Sequence, residues 1–334
     1  MTKPNSESTT PVNATSPRPS AEPPMTSLAM NSGNTTIRKE LPIDSVNLTV
    51  RHYPHAGSEA FEPAPPPVSA AAPQDCKSPG IPRRDRYRFE TDGQGHSMAR
   101  TAVVAGVGPG LGESIARTFA AEGCRVALFA RSAEFIEDLA ADLPGEGLAV
   151  PTDLADVGEI RDGFAAVREA FGPVDVLVNH ASAASWEGLM DTSVEEFERA
   201  WAVNGRGAFV CSKEAVGDML ETGGGTVIFT GATSAVRSLG GAIGFTAAKF
   251  AGRGMAMDMA QEFGPEGVHV AHVMIDGQID EPGARGTFPD RGEETFLDPD
   301  EMAETYWHLV ERDDTSTQPF EVHITNGPQN TEFV

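Results

Sequence analysis

The chain has 334 residues, with 49 Asp and Glu against 25 Lys and Arg and a net charge of -24. A field of that sign repels nucleic acid and anionic membrane surfaces, which excludes both as partners. The three cysteines, Cys76, Cys124 and Cys211, follow no metal-ligand spacing and imply neither a disulfide framework nor a zinc site.

Composition divides the chain near Met98. Residues 1–97 carry 15 of the 25 prolines and balance 10 basic against 10 acidic residues, without the apolar periodicity that builds a core. Two readings of that segment stand. It is a disordered extension whose EPAPPP stretch behaves as a polyproline-like linker, or it is not translated and the protein starts at Met98. Residues 98–334 hold the whole net charge, with 39 acidic residues, 13 arginines and two lysines, Lys213 and Lys249. That balance resembles the lysine-poor surfaces of proteins from salt-accumulating halophiles; the alternative is an ordinary acidic enzyme. No apolar run is long enough to span a membrane and no basic-then-apolar leader follows Met1, so a soluble cytoplasmic protein is expected.

From Thr101 the pattern becomes regular. An apolar run, TAVVAG, leads into a glycine turn and then a helix over SIARTFAAEG that Gly123 ends. A strand over Arg125 to Ala130 precedes a helix capped by Ser132 and stopped near Pro144 and Gly145. Strands at Gly147 to Val150 and Val174 to Asn179 flank a helix that starts near Asp156. Helical pattern then runs from about Ser193 to Glu221, with a break near Asn204 and Gly205. A strand over Thr226 to Thr230, a small-residue loop and a helix carrying Phe245 and Lys249 follow. Last come a strand over Val268 to Ile275, a Gly- and Pro-rich loop, a helix near Asp298 to Glu311 and a strand at PFEVHI. Strands alternating with helices predict an α/β fold: a single-domain, doubly wound parallel sheet of the Rossmann type, about seven strands with helices on both faces. Its ligand crevice lies at the carboxyl ends of the strands.

The first turn reads AGVGPGLG, and Gly106, Gly108, Gly110, Leu111 and Gly112 are its candidate cofactor residues. Glycine lets the backbone turn sharply, approach a pyrophosphate and present the following helix N-terminus to it. With that loop in place, residues 101–327 resemble the short-chain dehydrogenase/reductase family, in an atypical form. Asp153 and Leu154 match the family's adenine-contacting position. Asn179 and Ala181, in Asn179-His180-Ala181-Ser182, stand where the family has Asn-Asn-Ala-Gly beneath the cofactor, and Asn204 matches the Asn of its active-site tetrad. Gly277 keeps the glycine of a Pro-Gly motif whose proline is replaced by Asp276. After the second strand, the position that accepts from a ribose hydroxyl is Ala130, followed by Arg131; a basic residue there points to NADP(H) over NAD(H).

The resemblance implies a reaction end built from a serine, a tyrosine and a lysine. Aligning on Lys249 puts Phe245 at the tyrosine and Ala232 at the serine, so both reacting hydroxyls are gone. Lys249 keeps the role of binding the nicotinamide ribose, while Asn204 supports a proton-relay water. His180 is the remaining candidate proton donor, through water or Ser182, against the plainer reading that it fills space. Thr233 and Ser234 could hold a carbonyl, and the loop from Asp280 to Leu297 lies where a substrate lid would be. The expectation is an NADP(H)-dependent oxidoreductase acting on a small carbonyl or alcohol, self-associating as a dimer or tetramer. The alternative is a dinucleotide-binding protein that has lost its chemistry and works as a sensor or assembly partner.

Overall fold

The computed structural model describes residues 99–238, 240–312 and 316–326. The extension expected over residues 1–97 lies outside them. The chain begins with β1 (Thr101–Ala105), α1 (Leu111–Ala121), β2 (Arg125–Ala130), α2 (Ala133–Asp142), β3 (Gly147–Pro151), α3 (Val157–Phe171) and β4 (Val176–Asn179). It continues through α4 (Val194–Trp201), a π-helical turn (Ala202–Gly207), α5 (Ala208–Thr222), β5 (Gly225–Thr230), α6 (Ile243–Phe263) and β6 (Val268–Asp276). Then come β7 (Gln278–Ile279), α7 (Ala284–Thr287), β8 (Phe296–Leu297), α8 (Pro299–Val310) and β9 (Glu321–Thr325).

Seven parallel strands form one sheet in the order β3-β2-β1-β4-β5-β6-β9. The order reverses between β1 and β4, and the crevice outside their carboxyl ends is the place where such sheets take ligands. Every residue of β1 and of β6 is buried. This is why β1 reads as a nearly continuous apolar run, both of its faces being covered, while β6 buries His269, His272 and Asp276 among its apolar residues. Val104, Leu128, Val178 and Ile228 pack on one face with Ile115 and Phe119 of α1 and Tyr306 of α8. On the other face, Phe129, Leu177, Val227 and Phe229 pack with Phe164 of α3, Met219 of α5 and Ala256 of α6.

Local signals behave as expected with three exceptions. Asp156 caps α3 by accepting from Gly158 N at 2.7 Å and Glu159 N at 3.0 Å, and Ser193 and Glu196 form a capping box on α4. Ser132 stands at the N-cap of α2, but its side chain makes no capping bond. The break expected near Asn204 is instead a wide π-helical turn that carries α4 into α5. Tertiary contact explains it. A Cβ on Gly207 would stand 2.3 Å from the carbonyl oxygen of Leu154, so the turn lies directly against the loop after β3. The loop expected from Asp280 to Leu297 contains α7, and β8 pairs with β7 through Gln278 with Phe296 and Ile279 with Leu297. Two-residue strands carry no periodicity that a sequence could reveal.

Candidate active site

Gly106 leaves β1 with φ 108°, and its N–H donates to Phe129 O at 2.9 Å. A Cβ there would lie 2.4 Å from the backbone of Ala181, so the fold itself requires glycine. His180 N and Ala181 N both donate to Ala105 O, which locks the end of β4 to the end of β1. Gly110 immediately precedes α1, and Leu111 and Gly112 open it. Gly108 differs from its neighbours: nothing lies within 4 Å of a Cβ built on it.

That turn forms one wall of a cleft of about 770 Å³, which Gly106, Gly108, Arg131, Asp153, Ser182 and Arg199 help to line. Arg131 is exposed at its rim. Asp153 accepts from Ala155 N at 3.0 Å and faces Arg199 at 3.9 Å, while the neighbouring Leu154 is buried. The structure therefore brings the glycine turn, Arg131, Asp153 and Ala181 to one cleft.

Toward β5 and α6, Asn179 donates from Nδ2 to Ser212 Oγ at 3.0 Å. Asn204 Nδ2 donates to Ala183 O at 2.7 Å, and its Oδ1 accepts from Ala183 N at 2.9 Å. Lys249 is buried, donates to Thr230 O at 2.9 Å and stands 5.6 Å from the centre of the Phe245 ring. Burial pushes its ammonium down to about 8. Phe245 is itself buried and tilts against Trp186, with ring centres 5.3 Å apart. Gly277, at the end of β6, lies against Leu297.

The His180 ring contacts β5. Its Nδ1 lies 3.1 Å from Thr230 Oγ1, which in turn lies 2.9 Å from the Tyr306 hydroxyl. Burial first, and the Lys249 charge second, push His180 down to about 4. The alternation of β5 sends the Thr230 side chain toward α8 while its carbonyl bonds Lys249.

Sequence reasoning missed two clusters. Thr233 Oγ1 donates to Asp276 Oδ1 at 2.6 Å, and Arg237 and His323 both stand 3.4 Å from Asp276 Oδ2. An acidic residue ending an apolar strand was a signal for such a cluster, although it could not name the partners. The second joins His272, on β6, to Glu321 and Arg253. Among the described residues no group of three or more His, Cys, Asp and Glu could hold a metal ion, and no helix is long and apolar enough to cross a membrane.

Residues 100–282 match the short chain dehydrogenase family. The chain belongs to that family. Short chain dehydrogenases are oxidoreductases that use NAD or NADP, and the seven-stranded sheet with flanking helices is their fold. The chain is similar to a D-threitol dehydrogenase of Mycolicibacterium smegmatis, with 30% identity over 228 residues, 65% of this chain and 85% of that one. To a meso-2,3-butanediol dehydrogenase of Serratia marcescens the identity is 33% over 175 residues, 52% of this chain and 69% of that one. Among solved structures, an alcohol dehydrogenase of the archaeon Thermococcus sibiricus in complex with 5-hydroxy-NADP superposes with a TM-score of 0.63. Its identity is 27%, over 70% of this chain and 100% of that one.

Proposed function

We propose that this short chain dehydrogenase is an NADP(H)-dependent oxidoreductase that interconverts a small carbonyl and its alcohol by an altered proton route. The observation that carries the reading is Lys249. In a domain with two lysines it is buried beside Phe245, and only one of its three ammonium hydrogens goes to Thr230. A buried cation of that kind suits ribose hydroxyls, and it lines a smaller cavity that shares Leu154, Ala181 and Val203 with the cleft at the glycine turn. Gly108 supports a dinucleotide as the occupant, because no protein atom accounts for the absence of a side chain there.

In this reading Gly106, Gly108, Gly110, Leu111 and Gly112 hold the pyrophosphate over the α1 N-terminus. Arg131 pairs the 2'-phosphate, Asp153 and Leu154 border the adenine, and Asn179, Ala181 and Gly277 support the cofactor from below and beside. Bound there, the nicotinamide supplies or receives the hydride. Thr233 donates its proton to Asp276, so its oxygen is left to accept from a substrate hydroxyl rather than to donate to a carbonyl. His180 keeps its part-buried contact with Thr230, and the substrate oxygen takes its proton from, or gives it to, solvent water in the cleft. Exposed Phe209 of α5 and Phe250 and Met257 of α6 support self-association through those helices.

A second reading is favoured by Phe245 and Ala232, which carry no hydroxyl: the chain binds the dinucleotide without turning it over. Dissociation constants for NADPH and NADH, measured with wild type and Arg131→Ala beside a carbonyl and alcohol turnover screen at high salt, test both. The first reading expects tighter NADPH binding, lost on removing Arg131, together with turnover. Tighter NADH binding sinks the cofactor assignment. Binding without turnover across a broad panel selects the second reading.

A further inference from the structure

Apart from the large cleft, a small cavity of about 20 Å³ lies where β4, β5 and β6 meet α5 and α6. This is room for about one water molecule. Lys249, Asn179, Thr230, Gly231 and His272 are among its walls. Strand alternation brings His272 there. Val268 and Val270 belong to the core under α5 and α6, Ala271 and Val273 to the opposite core, and His272 falls in the first set.

His272 is 1% exposed, and its Nδ1 lies 3.0 Å from Glu321 Oε2. Glu321 also accepts from Arg253 Nε at 2.6 Å and Nη2 at 3.1 Å. The hydrogen bond from Arg253 is the main cause holding the Glu321 carboxyl below its ordinary range. An ionised carboxylate only accepts, so His272 carries its hydrogen on Nδ1 and keeps a lone pair on Nε2. Burial lowers the His272 pKa despite Glu321, so the ring stays neutral near pH 7. The charged groups that act on it are Glu321, Arg253 and Lys249. Nε2 is buried without a hydrogen-bond partner, 2.2 Å from where a Cβ on Gly231 would stand. Across the same Thr230–Gly231 peptide, Lys249 bonds the Thr230 carbonyl and has two hydrogens to spare.

We propose that His272, fixed in this tautomer by Glu321 and Arg253, is a positioning residue whose Nε2 lone pair accepts, through a water in the cavity, from the Lys249 ammonium. It thereby keeps the lysine charged. Two facts make this consequential. The cavity is walled by a lysine with spare donor hydrogens and a histidine whose buried acceptor has no partner, and a buried lysine sits close to losing its proton unless something favours the charged form. The inference deepens the reading of Lys249 as the cofactor-side cation, but its test requires no turnover.

The full chain has five lysines, so labelling their ε-carbons with ¹³C gives five titration curves. Loss of a resonance in Lys249→Met assigns the one of interest. His272→Leu should lower the Lys249 midpoint by about one pH unit, the size expected when a hydrogen bond to the charged form is removed. His272→Gln, which offers Glu321 a donor and the cavity an acceptor, should restore most of the loss. Gly231→Ala leaves the imidazole chemistry intact and displaces the ring from the cavity; it should match the leucine variant and replaces it if that variant does not fold. A Lys249 midpoint that stays at the wild-type value overturns the proposal. Failure of the oxidoreductase reading would appear only in cofactor binding and turnover, leaving this shift intact.

Discussion

Asn204 grips Ala183 by both of its backbone groups, accepting from the amide at 2.9 Å and donating to the carbonyl at 2.7 Å. Ala183 lines the large cleft, so a side chain on the π-helical turn fixes part of the cleft wall. Asn204→Ala would leave two backbone groups to find new partners, at a cost of about 1–3 kcal/mol. Thermal unfolding should show that loss, and hydrogen exchange at the Ala183 amide should accelerate. An unchanged exchange rate would mean the grip is not made in solution.

Phe245 beside Lys249 predicts a gain of function. Phe245→Tyr combined with Ala232→Ser supplies the two hydroxyls that the family resemblance assigns to proton handling. General acid-base assistance is typically worth about 100- to 10,000-fold. The double variant should therefore raise turnover on any substrate the wild type processes, with little change in cofactor affinity. Steady-state kinetics decide it, and equal or lower turnover across the panel would show that Phe245 is not what limits the proton step.

The depressed pKa of His180 ties stability to acid. Folded, it titrates at about 4; unfolded, near 6.5. Between those values the unfolded chain holds a proton that the folded chain lacks, so stability falls as pH drops through this window. The share due to His180 is on the order of 2 kcal/mol. Denaturant unfolding from pH 7 to pH 4.5 should lose less stability in His180→Leu than in wild type. Some slope should remain from His272, whose pKa burial also lowers. An identical slope in the variant would contradict the assignment.

Gly106→Ala tests the junction of β1 with β4. The new methyl group would fall 2.4 Å from Ala181 backbone atoms, at a φ of 108° that alanine rarely adopts. Rigid backbone on both sides leaves it nowhere to go, and a loss of about 3 kcal/mol or more is expected. Differential scanning calorimetry would register it with no cofactor added. A melting curve like that of the wild type would show that the two loops separate easily.

Most of the sheet was legible because the forces that form it are local or bluntly apolar. Runs such as VDVLV and the GVGPGLG turn state their own structure, and Asp156 and Ser193 announce the helices they cap. What could not be read depends on distant partners. Asn204 and Gly205 resemble a helix stop, yet Ala183 and Leu154 hold the chain in a continuous turn. His180 carries no sequence sign of its contact with Thr230, 50 residues on at the end of β5. Asp276 gathers Thr233 and Arg237 from the connection between β5 and α6 and His323 from β9, and no spacing in the sequence could have joined these to the end of β6. Candidate positions could be named from the sequence, but the bonds each of them makes could not.

Gly108 separates two properties that site substitutions usually confound. Its neighbours in the turn are held by the protein's own backbone and side chains, but a methyl group at Gly108 would touch no protein atom within 4 Å. The fold leaves that position open toward the cleft, so a side chain added there would meet whatever the cleft holds before it met the protein. It is therefore the natural point at which to dial ligand affinity while leaving the folded scaffold unchanged.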